Sequence, residues 1–377
     1  MFAATILAAL LVTATSALPR EAPTSNDLIR VQLSAVGNTM VNAVVTNTGK
    51  DPISLMKLNT VLDSFPCERA TVYKEGKMME FEGLLAHYDL QGLPTDAFTT
   101  LKPGDSTNNT FDLAETADLA AGGSISVLSK GIFLLASPGS TKFLGMIHYR
   151  SNDLNLKVDG KAASRIKSAA RLGLEKRSKF YLDTCNETQT SVLSKCLAKA
   201  TEYSNAGNKG ATSGSAETFK TFFKTTAASD RKNVAARFRA ISNETSAINS
   251  GIINIRCGFN DRCKGKVNAI ANRWANLITI CDRYFVAYPV ADTACHATDQ
   301  STIMLHEMTH MKNIYDPETN DYGYGYNGIL GLTREEALLN ADTYAIYGGG
   351  TFLSSCLLSL FFVAALCSPF SDISRNC

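Results

Sequence analysis

Leu305-His306-Glu307-Met308-Thr309-His310-Met311, followed by Glu318-Thr319-Asn320-Asp321-Tyr322-Gly323-Tyr324-Gly325, is the stretch on which the reading of this chain turns. On a helix, histidines four residues apart lie about 40° apart around the axis, one turn above the other. Two imidazoles so placed face a single ion. Glu307 follows the first of them and is within reach of a water on that ion. A carboxylate there takes the water's proton during attack on a carbonyl and passes it to the leaving amine. The pattern predicts metal-assisted hydrolysis of peptide bonds, with one Zn2+ per chain. Met304, Met308 and Met311 form a separate, core-facing row on the same helix, so ligation and packing do not compete. His296, beside Cys295, reads as a surface or packing residue.

A catalytic zinc site has three protein ligands and an open position, so a third ligand is sought downstream. Asp316 stands six residues past His310, but Asn313 occupies the place of a turning glycine and no methionine follows Met311. Glu335 and Glu336 lie on the next predicted helix, where Glu336 completes a capping box with Thr333. Asp321 sits in a Gly- and Tyr-rich turn that can fold a carboxylate back onto the ion and bring a phenol near it. Asp342 falls on the apolar face of its helix, where a carboxylate needs a partner. It suits either a ligand or the acceptor that fixes a histidine tautomer.

The rest of the 377 residues frames this site. Charged residues are 19% and the net charge is +2, which gives no field for nucleic acid or an acidic membrane surface. MFAATILAALLVTATSALP reads as a secretory signal over residues 1–17, so the protein is expected to be secreted and extracellular. In that compartment the ten cysteines are expected as disulfides, and nine of them follow residue 180 with no CxxC pair. Asn108, Asn186 and Asn243 open candidate N-glycosylation sequons.

From Ile29 to about Ile147 apolar and polar residues alternate, with turn chemistry at Gly49-Lys50-Asp51-Pro52 and Lys102-Pro103-Gly104-Asp105, which predicts a small antiparallel sandwich. The cationic stretch SRIKSAARLGLEKRSK then carries the dibasic pair Lys176-Arg177, a target for a processing protease. Residues 18–177 therefore read as a β-rich propeptide and 178–377 as the mature domain. Apolar residues at helical spacing predict helices within 190–204, 216–227, 231–249, about 299–312 and 334–347, with loops and a small hairpin over 251–297. The fold class expected is α+β. The apolar run within 357–377 is too short to span a bilayer, so no stable membrane insertion is expected.

These residues resemble the deuterolysin family, the aspzincins, which are secreted fungal zinc endopeptidases. In that family HExxH is followed by GTxDxxYG, and ETNDYGYG at 318–325 matches except that Glu318 replaces the first glycine. CDRYF at 281–285 and LLNADTYAIY at 338–347 extend the likeness. The resemblance implies a mainly α, zincin-like protease domain after a propeptide, with His306, His310 and Asp321 as zinc ligands and Asp342 as the rival third ligand. It makes Glu307 the acid/base and Tyr324 a hydrogen-bond donor to the oxyanion. Tyr284 matches a further residue implicated in activity. It also implies disulfides Cys185–Cys257, Cys263–Cys281 and Cys295–Cys356, and a taste for basic proteins among protein and peptide substrates. Cys196, Cys367 and Cys377 have no counterpart. A monomer is expected. Cys67, alone in the propeptide, is a candidate for holding the zymogen inactive. The competing reading is a secreted binding or effector protein that keeps the fold without catalysis, against which the intact Glu307 stands.

Overall fold

The computed structural model describes residues 28–171, 184–247, 250–258 and 262–353. The signal segment, Lys176-Arg177 and Cys356, Cys367 and Cys377 lie outside the described residues. The fold is mixed α/β.

The alternation that starts at Ile29 becomes a run of twelve strands. They are β1 (Ile29–Ala35), β2 (Met40–Asn47), β3 (Ile53–Met56), β4 (Thr71–Lys74), β5 (Lys77–Met78), β6 (Leu85–Tyr88), β7 (Phe98–Leu101), β8 (Ser106–Asp112), β9 (Gly123–Leu128), β10 (Lys130–Ala136), β11 (Phe143–Arg150) and β12 (Leu154–Val158). Eleven of them form three sheets, ordered β1-β2-β8, β11-β10-β3-β7 and β12-β9-β4-β5. Side chains on alternate positions point to one face. That face of β2, Val41, Ala43 and Val45, is buried in a core with Leu55, Val127 and Phe133. A short helix, α1 (Gly160–Ala163), follows, started by Asp159, whose side chain accepts from Lys161 N and Ala162 N.

The second half is built on α2 (Glu187–Ser213), α3 (Ala216–Phe223) and α4 (Ala228–Ser246). Asn186 begins α2 with a capping box, and Ser215 caps α3. These helices bury Tyr203, Phe219, Phe222, Phe223 and Phe238 around Tyr347. Gly207 of α2 is required there, since a Cβ would lie 2.6 Å from the Phe238 ring. Phe238→Ala is expected to destabilise by about 3–5 kcal/mol, read as a lower denaturant midpoint, because a fully buried ring leaves a cavity.

Residues 251–297 carry more sheet than a hairpin. β13 (Asn254–Gly258) pairs parallel with β15 (Leu277–Cys281), and β15 pairs antiparallel with β14 (Val267–Asn272). Disulfide Cys185–Cys257 pins this region to the segment just before α2, and Cys263–Cys281 staples it internally. The fourth strand of the sheet is β6, supplied by the first half of the chain, in the order β13-β15-β14-β6. A short helix, α5 (Asp282–Ala287), leads to α6 (Gln300–Thr309).

The helix expected over 334–347 is interrupted. After α7 (Gly325–Leu330) the chain forms α8 (Arg334–Leu338), with the predicted capping box at Thr333 and Glu336, and then α9 (Ala341–Phe352). Asn340 between them is extended. Its side-chain oxygen accepts from Tyr322 N and Gly323 N at 2.8 and 2.9 Å, and its amide donates to Gly323 O at 3.0 Å. The break frees Asn340 to hold the turn after Asp321.

Candidate metal centre

Asp299 starts α6 with a capping box, accepting from Thr302 N at 2.7 Å, and Tyr203 Oη donates to its other oxygen at 2.9 Å. Every residue of α6 is buried. Met304, Met308 and Met311 face the core as the spacing predicted. Tyr284 Oη donates to Gln300 O at 2.7 Å, which makes it a support of the helix start.

The opposite face presents His306 and His310. His306 Nδ1 lies 2.6 Å from Asp342 Oδ1, and His310 Nδ1 lies 3.0 Å from Thr319 O. An acceptor on each Nδ1 places the proton there and leaves each Nε2 as a bare lone pair. The two Nε2 atoms are 3.1 Å apart. Asp321 Oδ1 is 3.1 Å from the first and 3.3 Å from the second. Two lone pairs and a carboxylate converging at this range repel unless a cation lies among them. Donor atoms about 2.0–2.1 Å from a tetrahedral ion are about 3.3 Å apart, so the triangle fits zinc. The Asp321 oxygens are buried and, despite these close contacts, accept no aligned hydrogen bond. Neither does either Glu307 oxygen. Buried polar atoms without partners are rare and point to a ligand or a reaction.

The electrostatics agree. Burial works against the His306 imidazolium, yet Asp321 and Asp342 outweigh it and hold its pKa well above the usual range. Burial pushes His310 down. Burial opposes ionisation of Asp321 as well, but the two histidines hold it well below the carboxylate range. The site thus stabilises positive charge among these donors. Burial pushes Glu307 up to about 8, with His306 opposing.

Among the described residues, the groups of donor atoms close enough to share an ion are His306–His310–Asp321 and His87–His306–Asp342. Asp342 is occupied at both oxygens, since Oδ2 accepts Gly325 N at 2.6 Å. Its Oδ1 meets His306 Nδ1, not the Nε2 that approaches His310 and Asp321. Asp316 belongs to neither group. Glu336 caps α8 and faces His148, while Glu335 pairs with Arg334. Tyr324 stands before α7 with its ring stacked toward His306, centroids 6.2 Å apart, and its hydroxyl bonded to Asn59. Cys295 is disulfide-bonded, and its expected partner Cys356 lies outside the described residues.

Several residues of the site have no motif to betray them. Arg273 pairs with Glu318 at 3.2 Å and also donates to Thr319 O and Asn320, so the carboxylate standing in for the expected glycine is tied to the turn. Arg237 donates to Pro317 O at 2.6 Å and spans to Thr309 O. His87 and Asn59 come from remote segments, while Asn340 lies within LLNADTYAIY, where no spacing marks it as the residue that holds the turn. An isolated Arg or Asn at these positions carries no local signal, and only its burial would have drawn notice.

A buried HExxH helix whose two histidines converge with an aspartate from the following turn defines a metalloprotease centre. The sequence profile described as the Deuterolysin metalloprotease (M35) family matches residues 1–355, and the chain belongs to that family. It is 38% identical to penicillolysin of Penicillium citrinum over 329 residues, covering 86% of this chain and 92% of that protein. It is 37% identical to a neutral protease 2 homolog of Neosartorya fischeri over 355 residues, covering 93% and 94%. A neutral protease 2 homolog of Aspergillus fumigatus is 38% identical over 355 residues, covering 93% and 92%. The chain is accordingly a zinc-dependent metalloendopeptidase acting on peptides or proteins. Among the described residues, no helix is long and apolar enough to cross a membrane.

Proposed function

We propose that this chain is a secreted precursor, with a signal over 1–17 and a propeptide over 18–177. Cleavage by a processing protease at Lys176-Arg177 releases a monomeric endopeptidase over 178–377 that acts on extracellular proteins, basic ones preferentially. His306 Nε2, His310 Nε2 and Asp321 Oδ1 would hold the zinc. When bound, zinc supplies a Lewis acid that polarises the scissile carbonyl and acidifies the attacking water. Glu307 takes the proton of that water and returns it to the leaving amine. Tyr324 Oη donates to the oxyanion as charge develops there. Asp342 and Thr319 O keep each Nδ1 protonated, so that both Nε2 atoms remain donors. The observation that carries this reading is the pair of buried, partnerless Glu307 oxygens beside the converging donor triangle.

The test is to process the precursor and measure hydrolysis of protamine and of casein, with chelator and after zinc is restored. Chelation should abolish activity, zinc should restore it, and protamine should be the better substrate. Activity indifferent to chelation would overturn the reading. Asp342→Ala is expected to weaken zinc binding about 10–100-fold, measured by competition with a chromogenic chelator, since it removes the partner that orients His306. Unchanged affinity would remove Asp342 from that role.

A further inference from the structure

Without β6, β14 would present an open edge beside α6. In this chain Tyr88, His87, Ala86 and Leu85 fill that edge, paired antiparallel with Val267, Ala269, Ile270 and Ala271. Asp89 N extends the ladder to Lys266 O at 2.7 Å. Adding an extended strand to a sheet edge is a general way to bind a peptide through its backbone. The strand's alternation then decides what faces the metal centre. Leu84, Ala86 and Tyr88 enter a small core with Val267 and Ile270, and Leu85 enters the opposite one. His87 shares the face of Leu85 and meets the His306 ring edge to face, centroids 4.7 Å apart. Asn59, from the same half, donates to Ala86 O at 2.8 Å and also bonds the Tyr324 hydroxyl.

Asp89 locks the segment in place. Its carboxylate binds Arg283, accepts from Tyr288 Oη at 2.8 Å and lies 3.7 Å from Lys266. With β6 docked, His306, Glu307 and His310 are each 0% exposed, so no polypeptide can reach them.

We infer that Leu84–Asp89 is a built-in, substrate-like inhibitor. Its backbone takes the β14 edge, His87 walls off His306, and Asn59 occupies the hydroxyl of Tyr324. The inference rests on the metal-centre and propeptide readings above. Cys67 is buried with Sγ 4.0 Å from Thr60 O and belongs to neither donor group, so the inference does not use it.

The test uses the full-length, uncleaved chain loaded with cobalt(II) in place of zinc. Acetohydroxamate is titrated in and the visible absorption of the cobalt is followed. Half-saturation should need at least tenfold more acetohydroxamate in the wild-type chain than in His87→Ala or Asp89→Ala. Backbone amides 85–88 should exchange with deuterium slowly in the wild type and faster in Asp89→Ala. Asn59→Ala, which removes the contacts to Ala86 O and the Tyr324 hydroxyl but no residue of the strand itself, should also bind acetohydroxamate more tightly than the wild type, and it carries the test if the other variants fail to fold. A wild-type chain that binds acetohydroxamate as tightly as the variants would overturn the inference. Cobalt failing to bind any of the chains would bring down the metal-centre reading itself, a distinct result.

Discussion

Glu307→Gln in the processed enzyme is expected to lower kcat/KM by about 10²–10⁴-fold while one zinc per chain stays bound. General acid–base catalysis by a positioned side chain contributes on that order. Glu307 is fully buried, its oxygens have no hydrogen-bond partner, and it belongs to neither group of donor atoms. Glutamine keeps the shape and removes the base, so the loss should fall on kcat. Zinc content by elemental analysis and kinetics on one peptide check both halves. A variant that keeps near wild-type turnover would show that the proton moves elsewhere, and one that loses its zinc would show that Glu307 holds the ion.

Asp321→Ala is expected to remove zinc and activity together. Its Oδ1 closes the triangle with both histidine nitrogens, and losing it leaves two neutral donors. The affinity loss should exceed the roughly 10–100-fold expected for loss of an orienting partner such as Asp342. Competition with the same chromogenic chelator ranks the two. Should Asp342→Ala prove the more damaging, the assignments of the two aspartates would have to be exchanged.

Those two aspartates mark where sequence reasoning reached its end. The histidine pair and Glu307 could be read directly, because an i, i+4 spacing on a helix is a local consequence of 3.6 residues per turn. The methionine row was legible for the same reason. Asp321 and Asp342 were both plausible ligands, since each is a carboxylate with unmet needs near the motif. Which one joins the triangle depends on how the Tyr-Gly turn and α9 pack around His306. The same packing explains the interrupted helix, since nothing in LLNADTYAIY announces that Asn340 will leave the helix to bind Tyr322 N and Gly323 N.

The first half followed its alternation into strands, and the strands run on to Val158, past the limit the pattern suggested. Its relation to the site was invisible in one dimension. His87 and Asn59 lie more than two hundred residues from the motif and sit in stretches that read as ordinary strand and turn. The sequence by itself offered the helix, the two histidines and the glutamate through local spacing, and the aspartate-bearing turn through its likeness to the family motif. Only the tertiary structure brings Asp321 to the two histidine Nε2 atoms and Asp342 to His306 Nδ1, and sets His87 of β6 against the His306 ring. Those outcomes depend on long-range strand pairing and burial, which residue spacing does not encode.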